Sequence, residues 1–337
     1  MKLKNLLFKL KCIEGATFKN TCNIINSLSK KTSRSKLSLL IDIINCSNKY
    51  GSGVYDYQEF EFYNLNKEER KTYMTRSKNN AVVREFNNFN DFYIFDNKGV
   101  FNETFKEFMK RDWLVLNSDN YDDFLAFCKN KTDFIAKIID GMGGVGIELI
   151  KIDKDNLKET YEYLLAKKLV LLEEKIIQNK LLSQLNQTSV NTMRIVTFFD
   201  GTEAHVINTV FKIGNGGITD NFSSGSMYTF VENGKIVVPA IDRDDNIFRV
   251  HPISNIELVG YEIPNYDKAL ELVKHAAKVV PTVKYVGWDV AITENDACLI
   301  EGNCYPGVYQ IKPSFLKDKV GLVPVFEKAM NIKISSL

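Results

Sequence analysis

The sequence predicts an α+β protein, and three observations support this fold class. Residues 111–178 alternate between short apolar strand patterns and helix patterns. Residues 190–250 carry mostly strand patterns. Two apolar strands, 285–293 and 296–303, close the region around a tight polar turn. Strands and helices mixed in this way are typical of an α+β sandwich.

The individual elements follow in order along the chain. Residues 1–50 are predicted to be helical, because LSLLIDIINC has apolar residues at helical spacing. Residues 50–74 are rich in aromatic side chains, which indicates a packing or docking surface followed by a helix around NKEERKTYM. The later predicted helices are NETFKEFMKR, YDDFLAFCKN, DNLKETYEYLLAKK and YDKALELVKHAAKVV. The predicted strands are DWLVL, DFIAKII, GIELIKI, LVLLEEKI, VNTMRIVTFF, EAHVINTVFKIG, GKIVVPAID, YVGWDVAIT and DACLIEGN.

Composition excludes several classes of protein. The chain has 337 residues, of which 45% are apolar and 26% charged, the balance of a soluble globular protein. Its net charge of +2 gives no general attraction to nucleic acid, so no nucleic-acid partner is expected. The 6 cysteines form no CxxC pair, which favours free thiols and a cytoplasmic location. No run approaches the roughly 20 apolar residues of a membrane span.

The N-terminal segment MKLKNLLFKLK is basic and amphipathic, and it lacks the apolar core and cleavage site of a signal peptide. Two interpretations stay open. The segment is either a cap helix packed on the protein body, or a peripheral contact with the anionic inner face of the membrane.

The hairpin near the C-terminal end carries the clearest chemical pattern. Glu301 and Asn303 are two apart on one strand and therefore share a face. The tight turn brings Asp289 of the partner strand opposite them. Carboxylate and amide oxygens are the ligands that Mg²⁺ prefers, so we expect a magnesium site here.

A second pattern is a lysine strand that leads into a glycine loop. Lys137 precedes Gly141, Gly143, Gly144 and Gly146. Glycines let backbone amides approach phosphate oxygens, and a lysine at the entrance of the loop reaches the same oxygens. The loop has no GK[ST] motif, and a strand rather than a helix follows it, so neither a Walker loop nor a Rossmann turn is predicted.

Two cations lie within apolar strands, Arg194 in NTMRIVTF and Lys212 in TVFKIG. A triphosphate would satisfy both charges, whereas without a metal site a solvent-facing position would be the simpler interpretation. Glu173 and Glu174 end an apolar strand just before Ile176, and by themselves they predict only a polar strand end.

Taken in order, these motifs resemble the ATP-grasp fold, in which two α+β lobes enclose ATP. The similarity is to the sugar-transfer-associated branch, related to α-L-glutamate ligases of polysaccharide gene clusters, and it covers roughly residues 45–315. The stretches that carry it are SVNTMRIVTF, VFKIGNGGITDNFSSGSMYTF, HPISNIELVGYEIPNY, VGWDVAITENDACLIEGNCYPG, YGSGVYDYQEFEFYNLNKEERKTYM and FDNKGVFNETFKEFMKRDW.

The resemblance implies a division of the chain and a role for each site residue. Residues 1–97 would form a cap or substrate region, 98–178 the N-terminal lobe, 179–320 the C-terminal lobe with the metal site, and 321–337 a tail. The implied roles are Lys98 and Lys137 on the ATP phosphates, Gly143 and Gly144 in the loop over them, Glu173, Glu174 and Ile176 in the adenine hinge, Arg194 and Lys212 as catalytic cations, and Asp289, Glu301 and Asn303 as ligands of one or two Mg²⁺ ions.

The implied activity is that of an ATP-dependent ligase that joins a carboxylate to an amine through an acyl phosphate. The expected substrates are a carboxylated sugar, either a small molecule, nucleotide-linked or lipid-linked, and an amino acid or amine, in capsule or O-antigen biosynthesis. Two alternatives stay open: an ATP-dependent phosphotransferase, and a non-catalytic nucleotide-binding partner of a glycosyltransferase complex.

Overall fold

The computed structural model describes residues 17–141, 146–216 and 225–337. The predicted N-terminal segment MKLKNLLFKLK and two glycines of the predicted phosphate loop, Gly143 and Gly144, lie outside the described residues. The chain divides into two compact units: the residues up to Phe86 together with Gly307–Leu337, and Asn87–Pro306. The boundaries expected at 97, 178 and 320 stay predictions.

Helices and strands share the chain throughout the second unit, while the first unit is helical in its described part. The α-helices are α1 Phe18–Thr32, α2 Lys36–Tyr50, α3 Val54–Glu59, α4 Lys67–Thr72, α5 Arg76–Phe86, α6 Tyr93–Asp96, α7 Lys98–Thr104, α8 Lys106–Met109, α9 Tyr121–Cys128, α10 Leu157–Lys167, α11 Lys180–Leu185, α12 Tyr266–Ala276 and α13 Val323–Met330. The strands are β1 Trp113–Val115, β2 Asp133–Lys137, β3 Ile147–Lys151, β4 Leu171–Glu173, β5 Thr192–Phe199, β6 Ala204–Ile213, β7 Met227–Glu232, β8 Lys235–Ile236, β9 Ala240–Asp242, β10 Ile247–Phe248, β11 Tyr285–Ile292 and β12 Ala297–Asn303. Among the described residues, no helix is both long enough and apolar enough to cross a membrane.

The first unit is built around the aromatic-rich stretch. Tyr57, Phe60, Phe62 and Tyr73 are fully buried there and pack with Leu39 and other apolar residues of α1 and α2. Local caps set the helix ends: the Thr17 hydroxyl accepts the Asn20 amide at 3.1 Å, as favoured N-cap residues do. The aromatic residues therefore form a core of this unit.

The second unit contains a small antiparallel sheet of order β1-β4-β2-β3, counted over the described residues. One face packs against α9 and α10, where Phe134, Ala136 and Leu172 join Phe124 and Leu164 in a core. Because side chains alternate along a strand, Lys137 and Glu173 lie on the opposite face, at the ends of β2 and β4.

The large sheet of the same unit runs β10-β9-β7-β6-β5-β11-β12 within the described part of the chain, with β8 paired to β7. Its core face is covered by α12, whose Leu272 and Val273 pack with Ile195, Phe211 and Trp288. The other face carries the polar residues of the site.

Within the described residues, the predicted strands and helices lie where the sequence patterns placed them, with two corrections. NETFKEFMKR was expected to form one helix, but it is divided at Phe105 between α7 and α8. GKIVVPAID was expected to form one strand, but it forms two short strands, β8 and β9. Pro239 lies between them and has no N–H to donate to a neighbouring strand. The elements that were not named individually from the sequence are β7, β10, α3, α5, α6, α11 and α13.

Candidate active site

A row of charged side chains crosses the polar face of the large sheet. Arg194 of β5 is paired in register with Asp289 of β11, and Asp289 is paired with Glu301 of β12. Residues adjacent to this row, such as Ile195 and Trp288, point into the core on the other side. The register therefore brings one cation and two carboxylates together on a single face.

Asp289 is held by two cations. Arg194 Nε lies 2.6 Å from Oδ1 and Nη2 lies 2.8 Å from Oδ2, while Lys212 Nζ lies 3.0 Å from both oxygens. Arg194 Nη1 also donates to the Pro306 carbonyl at 3.0 Å. Burial by itself would raise the pKa of Asp289, but the charges of Arg194 and Lys212 outweigh it and hold that pKa below its ordinary value. Asp289 is therefore ionised at neutral pH.

Glu301 faces Asp289 across the strand pair, and the two carboxyl groups repel each other. Burial raises the pKa of Glu301, and Asp289 raises it further through its charge and through a side-chain hydrogen bond, while the charges of Arg194 and Lys212 act in the other direction. A cation between two buried carboxylates would remove this repulsion. A divalent cation beside Glu301 would favour its ionised form.

Asn303 lies two residues beyond Glu301 on the same face, and its Nδ2 is 3.4 Å from the Gly287 carbonyl. In the described parts of the chain, no group of three or more His, Cys, Asp or Glu is arranged to hold a metal ion. The candidate metal ligands are instead two carboxylates and one amide, Asp289, Glu301 and Asn303. These hard oxygen donors fit Mg²⁺.

A second buried carboxylate, Glu173, lies at the end of β4 in the small sheet. Its Oε2 is 2.6 Å from Lys137 Nζ and 3.1 Å from Arg111 Nη2, and its Oε1 accepts from Asn102 Nδ2 at 2.8 Å. Burial opposes ionisation of Glu173, but Lys137 and Arg111 lower its pKa to about 2. The Glu173 carboxylate is thus fully paired, and the group of four side chains has one more cation than carboxylates.

Arg111 connects the two sheets of the unit. Besides the bond to Glu173, its Nη1 donates to the Met109 carbonyl at 3.2 Å and to the Leu299 carbonyl of β12. Leu299 lies two residues before Glu301 on that strand. The Glu173 group and the charged row are therefore tied together through one guanidinium.

Lys98 lies between the two charged groups. It begins α7, and its Nζ donates to the backbone carbonyls of Gly141 and Ile139 at the start of the glycine loop. Burial lowers the pKa of Lys98, and Lys137 lowers it further, whereas the Glu301 carboxylate acts in the opposite direction. Lys98 is thus within electrostatic range of both the small-sheet lysine and the metal candidate.

The predicted adenine hinge is an irregular segment that follows β4. Glu174 Oε2 accepts from the Asp112 amide at 3.1 Å, and the Glu174 amide donates to the Asp112 carbonyl at 2.8 Å. Ile176 is partly buried. The roles expected for Glu173, Glu174 and Ile176 toward adenine stay predictions.

Two members of the site were not recognised from the sequence, Asn102 and Arg111. Asn102 lies one helical turn after Lys98 on α7, so the spacing of four residues was an available signal. Arg111 had no such signal, because its partner Glu173 is 62 residues away in the chain.

A model of the family described as sugar-transfer associated ATP-grasp matches residues 77–323. No curated protein matches the chain. Among solved structures, the ATP-grasp ligase PsnB complexed with minimal precursor is 15% identical with a TM-score of 0.37, over 65% of this chain and 55% of that one. The D-alanine–D-alanine ligase from Coxiella burnetii is 9% identical with a TM-score of 0.42, over 78% and 67% of the two chains. The match thus spans about half of the PsnB chain, and at these TM-scores it carries no residue roles across.

Proposed function

Because the chain belongs to the sugar-transfer associated ATP-grasp family, we propose that it is an ATP-dependent ligase that joins a carboxylate to an amine through an acyl phosphate. The family model covers residues 77–323, well over half of the chain. This membership confirms the predicted family, the α+β ATP-grasp fold and the ligase class. The reaction, the substrates and the site roles are the content of the proposal.

The observation that carries the proposal is the row of Arg194, Asp289 and Glu301, of which the first two are buried and the third is half-buried. Lys212 is bonded to the Asp289 carboxylate of this row. Phosphoryl transfer requires positioned charges around the transferred group more than it requires a protein nucleophile. The row supplies two cations and two carboxylates on one face, in a region that burial shields from water. Arg194 and Lys212 are the proposed catalytic cations.

The proposed Mg²⁺ ligands are Asp289, Glu301 and Asn303, for one or two ions. Bound Mg²⁺ would neutralise phosphate charge and polarise the γ-phosphoryl group. Arg194 and Lys212 keep Asp289 ionised, and a bound Mg²⁺ would replace one of the hydrogen bonds that the Asp289 oxygens accept from them.

The proposed nucleotide site lies on the small-sheet side. Lys98 and Lys137 would bind phosphate oxygens, with Gly143 and Gly144 above them. Glu173 would hold Lys137 in place, while Glu174 and Ile176 would contribute to the adenine hinge. The Lys137–Glu173 distance of 2.6 Å and the Lys98 bonds to the loop carbonyls support this arrangement.

In the proposed reaction, the substrate carboxylate attacks the γ-phosphorus and ADP leaves. Arg194 and Lys212 offset the charge that develops on the transferred group. The amine then attacks the acyl carbon, phosphate leaves with the proton lost by the amine, and an amide results. Exclusion of water by the buried face would protect the acyl phosphate from hydrolysis.

We propose a carboxylated sugar as the acid substrate and an amino acid or amine as its partner, in capsule or O-antigen assembly in the cytoplasm. The family description supports the sugar. The sugar is free, nucleotide-linked or lipid-linked, and a lipid-linked form would suit a peripheral contact of the N-terminal segment with the membrane. No nucleic-acid partner is proposed.

Product mass tests the reaction. The full chain is incubated with Mg·ATP, a panel of free and nucleotide-linked uronic acids, and a mixture of amino acids and small amines. The proposal expects ADP formation and a product that weighs the sum of acid and amine minus one water. A product that has gained a phosphoryl group would establish the phosphotransferase instead, and nucleotide binding without any turnover would favour the non-catalytic partner.

A further inference from the structure

Gly214, two residues beyond Lys212, is held on both sides by buried side chains. Asn191 Oδ1 accepts the Gly214 N–H at 3.0 Å, and His251 Nε2 lies 3.0 Å from the Gly214 carbonyl. Both Asn191 and His251 have no exposed surface. Side chains therefore fix the backbone at the point where β6 ends.

The hydrogen bonds of His251 determine which ring nitrogen carries the proton. The Ser254 amide donates to Nδ1 at 3.2 Å, so Nδ1 carries no proton. The proton of the neutral ring is then on Nε2, where it is donated to the Gly214 carbonyl. The His251 amide in turn donates to the Ile256 carbonyl at 2.8 Å, which holds the histidine in its turn.

Asn191 extends this network toward the predicted hinge. Its Nδ2 donates to the Leu182 carbonyl at 2.9 Å and to Gln178 Oε1 at 3.1 Å. Gln178 Nε2 donates to the carbonyls of Asn186 and Ser189 at 2.9 and 3.0 Å. Gln178 lies two residues after Ile176, so hydrogen bonds run without a break from the end of the hinge to Gly214.

The space around Gly214 is closely matched to a glycine. A Cβ atom there would lie 2.2 Å from Asn186 Nδ2 and 2.4 Å from Ser189 Oγ, well inside any normal contact. Buried polar groups are costly unless every bond is made. Both backbone polar groups of Gly214 are bonded to side chains, and the close packing leaves no room for a Cβ atom.

We infer that Gln178, Asn191 and His251 are positioning residues that hold the end of β6, and with it Lys212, in fixed relation to the predicted nucleotide hinge. The inference rests on the proposed function, because Lys212 is the cation whose placement it explains. Lys212 is paired in register with Thr192, the residue that follows Asn191. Loss of the hydrogen bonds to Gly214 is therefore expected to displace Lys212 and slow the chemical step. Nucleotide binding through Lys98 and Lys137 should persist.

Two conservative substitutions distinguish the hydrogen bonds made by the two ring nitrogens of His251. In His251→Gln the side-chain N–H reaches the position of Nε2 and keeps the bond to Gly214. In His251→Asn the amide reaches only the position of Nδ1 and loses that bond. The exposed histidine variant His275→Gln is the matched control.

The experiment measures kcat and KM for ATP-dependent ADP release with the uronic acid and amine panel, the affinity for a non-hydrolysable ATP analogue, and hydrogen exchange of the Gly214 amide. We expect His251→Asn to lower kcat at least tenfold and to speed Gly214 exchange, with analogue affinity within about twofold. His251→Gln and His275→Gln should remain near wild type. Equal effects of the Gln and Asn variants, or a parallel loss of kcat and analogue affinity, would overturn the inference.

A failure of the proposed function is distinguishable from a failure of this inference. If the wild-type chain forms no product, the ligase proposal fails, and Gly214 exchange alone decides the positioning. If the Gly214 amide exchanges slowly in wild type and His251→Gln but fast in His251→Asn, the positioning role of His251 is supported. The same exchange rate in all three proteins contradicts it.

Discussion

The buried carboxylates Glu173 and Asp289 are each bonded to two cations, yet their surroundings differ. Glu173 is bonded to Lys137, Arg111 and the neutral Asn102, which completes its bonds. Asp289 is bonded to Arg194 and Lys212, but it also faces Glu301, whose pKa is raised by burial and by Asp289 itself.

This difference indicates that the Glu173 group positions other side chains, whereas the row on the large sheet takes part in the reaction. The Glu173 group contains two cations and one carboxylate, so Glu173 is fully paired and positions Lys137, while one positive charge is left over. In the row on the large sheet, Arg194 and Lys212 are both bonded to Asp289, and the pKa of Glu301 is raised beside it, so a divalent cation would stabilise the ionised form of Glu301. The metal and the reacting phosphate are therefore expected at the large sheet, and the small sheet is expected to hold the nucleotide.

The largest effect should come from Glu301→Gln, which removes a proposed carboxylate ligand of the metal and keeps the side-chain shape. We expect ADP release at saturating Mg²⁺ to fall by about 10³-fold or more, with the far-UV circular dichroism unchanged. Asp289→Asn and Asn303→Ala should behave alike. Glu294→Gln, an exposed acid in the turn of the same hairpin, is the control, and a Glu301→Gln rate close to that of Glu294→Gln would refute the metal assignment.

The substitution Arg194→Met tests the pairing of Asp289 through the free energy of unfolding. The change leaves Asp289 buried with Lys212 as its remaining cation, and an incompletely paired buried charge is costly. We expect the free energy of unfolding to fall by about 4 kcal/mol in urea titrations. The double variant Arg194→Met/Asp289→Asn should recover part of that loss, and no recovery would mean that the methionine acts through packing alone.

The pH dependence of stability tests the ion pairs that Glu173 makes with Lys137 and Arg111. The folded pKa of about 2 lies below the ordinary value of 4.5, so this stabilisation is complete above pH 4.5 and disappears as the pH falls toward 2. The stability gap between wild type and Glu173→Gln should therefore shrink by about 3 kcal/mol between pH 5 and pH 2. The neighbouring Glu174→Gln provides the control, and a gap independent of pH would contradict the ion-pair geometry.

A smaller effect is expected from Lys137→Ala, since Lys98 remains on the phosphate side. The affinity for a non-hydrolysable ATP analogue should fall about 30-fold, or about 2 kcal/mol, by calorimetry. Lys151→Ala, on the exposed end of β3 in the same sheet, should leave affinity unchanged. Unchanged affinity in Lys137→Ala as well would assign this lysine to the support of Glu173 alone.

Local patterns predicted the part of the site that lies on adjacent strands. Alternation placed Glu301 and Asn303 on one face, and the short turn placed Asp289 opposite, which the register of β11 and β12 matches. The spacing of apolar residues likewise predicted α12 and most strands. These features depend on residues close in sequence, where periodicity carries the information.

Long-range partners could not be predicted in the same way. The bond from Lys212 to Asp289 spans 77 residues, and Asn102 to Glu173 spans 71. The association of Gly307–Leu337 with the N-terminal helices is also non-local. No sequence period encodes such pairings, because they depend on how strands and helices are arranged in three dimensions.

The central claim is that the charged row binds a divalent cation together with the nucleotide. The direct measurement is Mn²⁺ binding by electron paramagnetic resonance, with and without a non-hydrolysable ATP analogue, in wild type, Glu301→Gln and Glu294→Gln. The account predicts tight Mn²⁺ binding in the presence of the analogue for wild type and Glu294→Gln, and at least tenfold weaker binding for Glu301→Gln. Equal Mn²⁺ affinity in all three proteins would contradict it.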